Sequence, residues 1–175
     1  MERRISEKVV FNGRLLKVVL RKVVVNEERE SERELVFHPG AVGIIPVKGE
    51  SVILVKQFRS PIEEELIEIP AGKLKKGEDP EECARRELLE ETGFEGNLKK
   101  IGSFISSPGF TNEVIHIFLA RDIKFKTREF MHPGEIDKVI EVPLKEAFEM
   151  LERGEIKDLK TAFALSYLKA NYGSL

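Results

Sequence analysis

The feature that most constrains this chain is a capped, glutamate-rich helix near its middle, which the residues between Asp79 and Gly93 predict. Asp79 suits the N-cap position because its carboxylate can accept hydrogen bonds from free backbone N–H groups, and Pro80 suits the first helical position. Gly93 provides a C-terminal stop because glycine readily adopts the left-handed conformation. The sequence therefore predicts one helix with defined ends, directly after a loop that begins at Gly72.

Three glutamates of this helix, Glu87, Glu90 and Glu91, stand at positions i, i+3 and i+4 and therefore share one arc of its surface. Like charges at these spacings destabilise a helix by roughly 0.2–0.5 kcal/mol per pair, and Arg86 offsets only part of that cost. Carboxylate oxygens are the ligands that Mg²⁺ and Mn²⁺ prefer, and Mg²⁺ commonly completes its shell with water and substrate phosphate. The helix thus predicts a divalent-cation site for phosphate chemistry, although a solvated acidic face would explain these glutamates equally well.

The complete spacing pattern separates these two interpretations. A glycine is followed after five residues by a glutamate, after seven more by Arg-Glu, and then by an apolar residue, Glu-Glu and Gly at fixed intervals. Every position is filled, by Gly72, Glu78, Arg86, Glu87, Leu88, Glu90, Glu91, Gly93 and the apolar Phe94. This arrangement resembles the Nudix box without a departure, and the resemblance implies a hydrolase of nucleoside diphosphates linked to another group.

Composition excludes several other classes of protein. The chain has 175 residues, the length of one ordinary domain, and its 29 Lys plus Arg against 31 Asp plus Glu leave no broad basic field for nucleic acid. The N-terminal residues lack the apolar core of a signal peptide, and no apolar run approaches the ~20 residues that span a bilayer. We therefore expect a cytoplasmic protein with neither nucleic-acid nor membrane partners, whose single cysteine, Cys83, packs inside the predicted helix.

Along the chain, apolar and β-branched runs separated by turn residues predict a β-rich protein. Strands are predicted within residues 15–25, 33–37, 41–47, 51–58, 101–105, 114–120 and 138–142, with two terminal helices over 144–153 and 159–170. This order indicates an α/β fold in which helices sandwich a mixed sheet, and the resemblance implies the same α/β/α sandwich. We divide the chain into an N-terminal antiparallel β arm, residues 1–40, and a Nudix hydrolase domain, residues 41–175.

Segments outside the box are similar to the ADP-ribose pyrophosphatase subgroup of the family. They are residues 33–36, 38–42, 57–59, 68–72 and 107–110. Pro108 is the most specific of them, since this subgroup typically carries a proline about fifteen residues beyond the last glycine of the box, here Gly93. A plain hairpin turn would also explain residues 107–109, so the subgroup assignment depends on the segments together.

The resemblance assigns roles to individual residues. Glu87 and Glu91 are the main metal ligands, Glu90 is a further ligand or a close neighbour with a catalytic role, and the backbone carbonyl of Ala71 completes the set. The expected cofactor is Mg²⁺ or Mn²⁺, with two or more ions in each site. Glu78 and Arg86 are expected to hold the loop and the helix together.

Substrate contacts are implied for Arg59, Glu68, Pro108 and Gly109, because a guanidinium group matches diphosphate oxygens and these positions belong to the similar segments. The general base in this subgroup typically is a glutamate on a late loop, which makes Glu135 the candidate here. This chain departs from its relatives nearby, since Lys138 stands where another acidic residue is common.

The expected reaction is hydrolysis of ADP-ribose, a small-molecule nucleotide sugar, to AMP and ribose 5-phosphate. In this subgroup two subunits typically exchange their N-terminal arms, so we expect a homodimer. The nearest alternative is a hydrolase of another nucleotide sugar such as GDP-mannose. A non-catalytic ADP-ribose-binding module would have lost box glutamates, and a nucleoside triphosphatase would usually be shorter and lack the arm.

Overall fold

The computed structural model describes residues 1–127 and 136–171. The chain begins with a three-stranded antiparallel sheet, formed in order by β1 (Glu2–Asn12), β2 (Lys17–Val25) and β3 (Arg29–Phe37). The antiparallel arm that the sequence predicts is thus present as a sheet. Its first strand was not predicted, because β1 is exposed at ten of its eleven positions and lacks the apolar alternation that marks a half-buried strand.

A second, mixed sheet follows, together with three helices. Its strands are β4 (Ala41–Lys48), β5 (Ser51–Arg59), β6 (Glu64–Glu68), β7 (Ala71–Lys73), β8 (Phe94–Ile105), β9 (Val114–Phe125) and β10 (Lys138–Pro143). The helices are α1 (Pro80–Thr92), α2 (Leu144–Glu152) and α3 (Leu159–Ala170). The main path of the sheet runs β10-β5-β4-β9-β8, with β6 paired to β5 and β7 paired to β4. Only the pair of β4 and β9 is parallel among the described strands.

Alternation along the central strands gives the mixed sheet two buried faces, since successive side chains of a strand point to opposite sides. Ile53 of β5 packs in a core with Ala84 and Leu88 of α1. Its neighbour Leu54 packs in a second core with Leu165 of α3 and with side chains of α2. Helices therefore cover both faces of the sheet, which confirms the predicted α/β/α sandwich.

Helix α1 has the ends that the sequence predicts. The Asp79 carboxylate accepts hydrogen bonds from the backbone N–H groups of Glu81 and Glu82, at 2.8 and 3.3 Å. Gly93 adopts a φ of 76° and donates its N–H to the carbonyl of Leu89 at 2.9 Å. Cys83 is fully buried in this helix, as expected. None of the helices within the described residues is long and apolar enough to cross a bilayer.

Candidate active site

A cleft of about 840 Å³ lies where the arm, the mixed sheet, α1 and α3 meet. Its polar lining includes His38, Gln57, Arg59, Lys73, Glu87, Glu91, Glu113, Asp158 and Lys160, and its apolar lining includes Leu15, Phe104, Ile105, Leu159 and Phe163. Elements that are far apart in the sequence therefore contribute to one cavity. The volume is within the range of small-molecule binding sites.

One side of the cleft depends on a group of charges that we call the Arg86 cluster, made of Arg86, Glu78, Glu87 and Glu90. The Arg86 guanidinium contacts Glu78 through Nε and Nη2, at 2.9 and 3.0 Å, and its Nη1 contacts Glu87 and Glu90 at 2.6 and 3.0 Å. One cation thus serves three carboxylates, and the pKa of Arg86 is raised mainly by its hydrogen bond to Glu78. Glu78 also accepts the backbone N–H of Lys75 at 2.7 Å, so it ties the loop to the helix.

Gly72 allows the glutamates to approach the loop closely. A Cβ atom built at this position would lie 1.9 Å from Cδ and 2.4 Å from Cγ of Glu87, far inside van der Waals contact. The Glu87 side chain passes over the backbone at Gly72 and lines the cleft. A larger residue at position 72 would displace this carboxylate.

Glu91 is fixed by the backbone of the same loop. Its Oε2 accepts the N–H of Ala71 at 2.9 Å, and both residues line the cleft. Within the described residues, no lysine or arginine lies within ion-pair distance of this carboxylate. Burial raises the pKa of Glu91 to about 8, despite the hydrogen bond from Ala71. A buried carboxylate in this state favours a bound cation, which would compensate its negative charge.

The oxygen donors at this end of the cleft fit a hard divalent cation in their chemistry. Glu87, Glu90 and Glu91 provide carboxylates, and Ala71 provides a backbone carbonyl. Among the described residues, no three acidic, histidine or cysteine side chains already converge on one point. The Arg86 contacts explain this arrangement, because they hold Glu87 and Glu90 toward the guanidinium group.

A second group of charges, which we call the Glu68 cluster, consists of Glu68, Arg59 and Lys160. Arg59 binds the Glu68 carboxylate through two hydrogen bonds, from Nε and Nη2, both at 2.6 Å. Lys160 of α3 contacts the same carboxylate. Glu68 is only 1% exposed, so burial alone would raise its pKa, but the two cations outweigh this effect and hold the pKa below its ordinary value. Two cations thus serve one carboxylate at the cleft.

The first turn of α3 holds this second cluster to the sheet. Asp158 caps the helix by accepting the N–H of Thr161 at 2.9 Å, and it contacts Lys160 at 3.0 Å. The Thr161 hydroxyl accepts the backbone N–H of Ile69 at 2.8 Å and donates to Asp158 at 2.5 Å. The segment that leads from Glu68 to Gly72 is therefore attached to α3, through the side chain of Glu68 and through the backbone N–H of Ile69.

The apolar lining of the cleft centres on two aromatic rings. Phe104 of β8 and Phe163 of α3 lie with their ring centroids 4.7 Å apart, and Tyr167 stacks on Phe163 at 6.4 Å. Beside them, Ile105 and Leu159 are 60% and 73% exposed. The cleft thus has an apolar lining for an uncharged ring as well as charged groups for phosphate.

Some of the residues that the sequence predicts for the site line the cleft, and others do not. Arg59, Ala71, Glu87 and Glu91 line the cleft. Glu68 is buried beneath Arg59, and Glu90 is directed to Arg86. Pro108 and Gly109 are exposed in the turn between β8 and β9, next to Ser106 and Ser107, which do line the cleft. Glu135, the candidate base, lies outside the described residues.

No pattern in the sequence points to Lys160, Phe104 or Phe163 as residues of the site. A capped helix start at Asp158 was the only local signal near Lys160, and it does not reveal which side chain meets the cleft. Lys160 and its partner Glu68 are 92 residues apart, so their contact is a tertiary one.

The glutamate-bearing helix, the loop across Gly72 and the two-faced sheet together define a member of the NUDIX domain family. The family model matches residues 37–164, so the chain belongs to this family, as its box predicts. The chain is 42% identical to the ADP-ribose pyrophosphatase of Bacillus subtilis (strain 168), over 96% of this chain and 92% of that protein. It is 40% identical to the methanol dehydrogenase activator of Bacillus methanolicus, with the same coverage.

Two further proteins are similar to this chain, one in sequence and one in fold. A GDP-mannose pyrophosphatase of Shigella flexneri is 37% identical over 71% of this chain and 70% of its own. The crystal structure of an ADP compounds hydrolase superposes with a TM-score of 0.84 and covers 97% of this chain and 95% of its own, at 22% identity. That last likeness confirms the fold of the described residues, with the N-terminal sheet included.

Proposed function

We propose that this protein hydrolyses the diphosphate bond of ADP-ribose to AMP and ribose 5-phosphate with the help of Mg²⁺. The observation that carries the proposal is one cleft that contains a carboxylate-rich end, with Glu87 and Glu91, and a guanidinium group, Arg59. A divalent cation needs the first and a diphosphate anion needs the second. The relative that is 42% identical over 96% of the chain bears the name ADP-ribose pyrophosphatase, which supports this substrate.

In the proposed mechanism each side of the cleft has its own task. Glu87, Glu91, Glu90 and the carbonyl of Ala71 would hold two or more divalent cations, which would supply neutralisation of phosphate charge and a lower pKa for the attacking water. Arg59 binds diphosphate oxygens and orients the scissile bond, and the buried Glu68 keeps that guanidinium in place. Phe104 and Phe163 offer a surface on which the adenine ring can stack.

The proton of the attacking water requires a base within hydrogen-bond reach. We assign this role to Glu135 on the sequence resemblance alone. Ser106 and Ser107 line the cleft and lead into the turn of Pro108 and Gly109, which we propose to contact the substrate.

A hydrolase of GDP-mannose is the second candidate, because GDP-mannose pyrophosphatases are about as similar over 71% of this chain. The same charged groups would serve that substrate, since both compounds contain a diphosphate. The match to the ADP-ribose pyrophosphatase extends over the arm and therefore covers Leu15 and His38, which line the cleft. That wider match favours ADP-ribose over GDP-mannose as the substrate.

A substrate panel tests the proposal. Purified protein with Mg²⁺ is incubated with ADP-ribose, GDP-mannose, other nucleotide sugars, diadenosine compounds and nucleoside triphosphates, and kcat/KM is compared by chromatography of the products. We expect AMP and ribose 5-phosphate from ADP-ribose, at the highest kcat/KM. A higher value for another compound would replace the substrate, and binding of ADP-ribose without cleavage of any compound would support a sensing module.

We further propose that two copies form a homodimer through exchanged arms. Support comes from β1, on which Ile5, Val9 and Phe11 are 45%, 48% and 57% exposed. Apolar side chains on an outer strand favour an additional partner surface. Light scattering should give twice the chain mass, and a Val9→Lys/Phe11→Lys variant should give the single mass, whereas the control Lys8→Gln should stay dimeric. A monomeric wild-type protein would contradict the proposal.

A further inference from the structure

Lys160 has no role in the proposed mechanism, yet it is among the least exposed cationic side chains of the described residues. Its side chain is 13% exposed, it lines the cleft, and it contacts both Glu68 and Asp158. Nearby Lys157 is a useful contrast, because it pairs with Glu64 at the surface and its side chain is 59% exposed. A confined lysine at a substrate cleft calls for an explanation beyond solubility.

The charges around Lys160 show what it compensates. Glu68 and Asp158 are two carboxylates beside the cleft, and Arg59 alone would leave one of them without a cation. Lys160 contacts both and balances this part of the cleft. Without it, a negative charge would remain on the side of the cleft where the phosphate groups are proposed to bind, and it would repel them.

Lys160 also affects the geometry of Arg59. The Glu68 carboxylate accepts hydrogen bonds from Nε and Nη2 of Arg59. This side-on contact leaves Nη1 of Arg59 for other partners. Because Lys160 contacts Oε2 of the same carboxylate, it limits the rotation of Glu68 and so fixes the plane of the guanidinium group. Thr161 adds to this restraint by holding the backbone N–H of Ile69, the next residue, at 2.8 Å.

We infer that Lys160 is a positioning residue, which orients Arg59 through Glu68 and removes negative charge from the phosphate-binding side of the cleft. This inference rests on the proposed function, since it assumes a diphosphate substrate. It assigns to the first turn of α3 a part in substrate affinity. Lys160 acts through Glu68 and Arg59 and need not touch the substrate.

Steady-state kinetics on the full chain with Mg²⁺ tests this inference. Lys160→Met should raise KM for ADP-ribose roughly 10-fold to 100-fold, the effect of one charge-assisted contact, and change kcat less than about 3-fold. Lys160→Arg keeps the charge and should stay within about 3-fold of the wild type in KM. Lys157→Met, the matched surface control, should leave both constants unchanged.

Two further measurements separate positioning from a structural role. The Kd of a non-hydrolysable methylene analogue of ADP-ribose should rise in parallel with KM. In an Arg59→Met background, Lys160→Met should raise KM by a clearly smaller factor than in the wild type, because its orienting effect on Arg59 is already lost and residues that act as one unit are not additive. Should Lys160→Met fail to fold, Lys160→Gln, which retains a hydrogen-bond donor without charge, provides the same comparison.

Several results would overturn the inference. These are an unchanged KM in folded Lys160→Met or Lys160→Gln, a fall in kcat at constant KM, and fully multiplicative effects with Arg59→Met. A wild-type protein that does not hydrolyse ADP-ribose would refute the proposed substrate only. The variants would then be compared on the best substrate of the panel, or by Kd where nothing is cleaved, and a chain that binds no diphosphate would refute both proposals.

Discussion

The Arg86 cluster and the Glu68 cluster are built on inverse plans. In the first, one guanidinium holds the carboxylates of Glu78, Glu87 and Glu90. In the second, one carboxylate holds the cations of Arg59 and Lys160. Each cluster is thus stabilised by a central charge of the opposite sign. The first keeps an excess of carboxylates, which suits metal cations. In the second, Asp158 balances the charge of Lys160, and the guanidinium of Arg59 is the group that suits phosphate anions.

Burial also differs between the two clusters. The central residue of the Glu68 cluster is nearly inaccessible, whereas the Arg86 side chain is 21% exposed. Separating a buried carboxylate from two cations requires a large free energy, so we expect the geometry of this cluster to persist when a ligand binds. The Arg86 contacts are more accessible, and Glu87 and Glu90 can exchange them for a metal ion. The comparison therefore predicts a rigid phosphate side and an adjustable metal side.

The largest expected effect tests the metal side of the cleft, to which Glu91 contributes beside the Arg86 cluster. Glu91→Gln keeps the shape of the side chain but removes the carboxyl group that can ionise next to Ala71. We expect kcat/KM for ADP-ribose to fall roughly 10³-fold to 10⁵-fold, since metal-ion catalysis supplies several kcal/mol of transition-state stabilisation. Glu82→Gln, an exposed position in the first turn of the same helix, is the matched control and should retain activity. Comparable activity of the two variants would contradict a metal role for Glu91.

The second-largest expected effect is on the general base, Glu135, which belongs to neither cluster. Glu135→Gln should lower kcat by roughly 10²-fold to 10⁴-fold, the usual contribution of a positioned general base. Mg²⁺ affinity should remain close to that of the wild type, measured by calorimetry. Glu155→Gln, a surface glutamate paired with Arg153, serves as the control. Full turnover in Glu135→Gln would move the proton transfer to another group, with the carboxylates of α1 at the cleft as the first to test.

A smaller effect separates the two clusters by ligand. Saturating Mg²⁺ at about 100 times Kd should stabilise the fold by about 2.7 kcal/mol, which raises Tm by roughly 5–10 °C in a protein of this size. Glu91→Gln should lose this shift, whereas Arg59→Met should retain it because Arg59 belongs to the phosphate side. Differential scanning fluorimetry with and without Mg²⁺ measures both. Loss of the shift in Arg59→Met would show that the clusters do not act separately.

The sequence predicts the Arg86 cluster better than the Glu68 cluster, for a physical reason. Arg86, Glu87 and Glu90 all belong to α1, so their spacing in the sequence alone brings them together on its surface. The caps of α1 are local as well, and both were predicted. In contrast, Lys160 meets Glu68 across 92 residues, and no periodicity encodes such a contact.

Strands show the same limit. The apolar runs of β4 and β5 predict their buried positions, whereas β8 begins at Phe94, seven residues before its predicted start, because residues 95–100 are mostly polar. β1 has almost no buried face, and its pairing with β2 supplies backbone hydrogen bonds that side-chain patterns do not reveal. Elements were therefore predictable where burial follows the local sequence.

The smallest expected effect tests how the Arg86 cluster is held together. The hydrogen bond from Arg86 is the main reason that the pKa of Glu78 lies at about 2, below its ordinary 4.5. A lowered pKa adds stability that is complete above about pH 4.5 and is lost as the pH falls toward 2. Glu78→Gln should therefore lower the free energy of unfolding at pH 7 by about 1–2 kcal/mol, and this difference should shrink below pH 4.

Urea unfolding at pH 7 and pH 3 measures this difference, with Glu81→Gln as the control. Glu81 pairs with Arg85 on the same helix, but both side chains are about half exposed, and such surface pairs contribute little. A Glu78 effect that persists at pH 3 would mean that shape, rather than charge, joins the loop to α1. A pH-dependent effect would instead establish that the charge of Glu78, paired with the guanidinium of Arg86, joins the loop to α1.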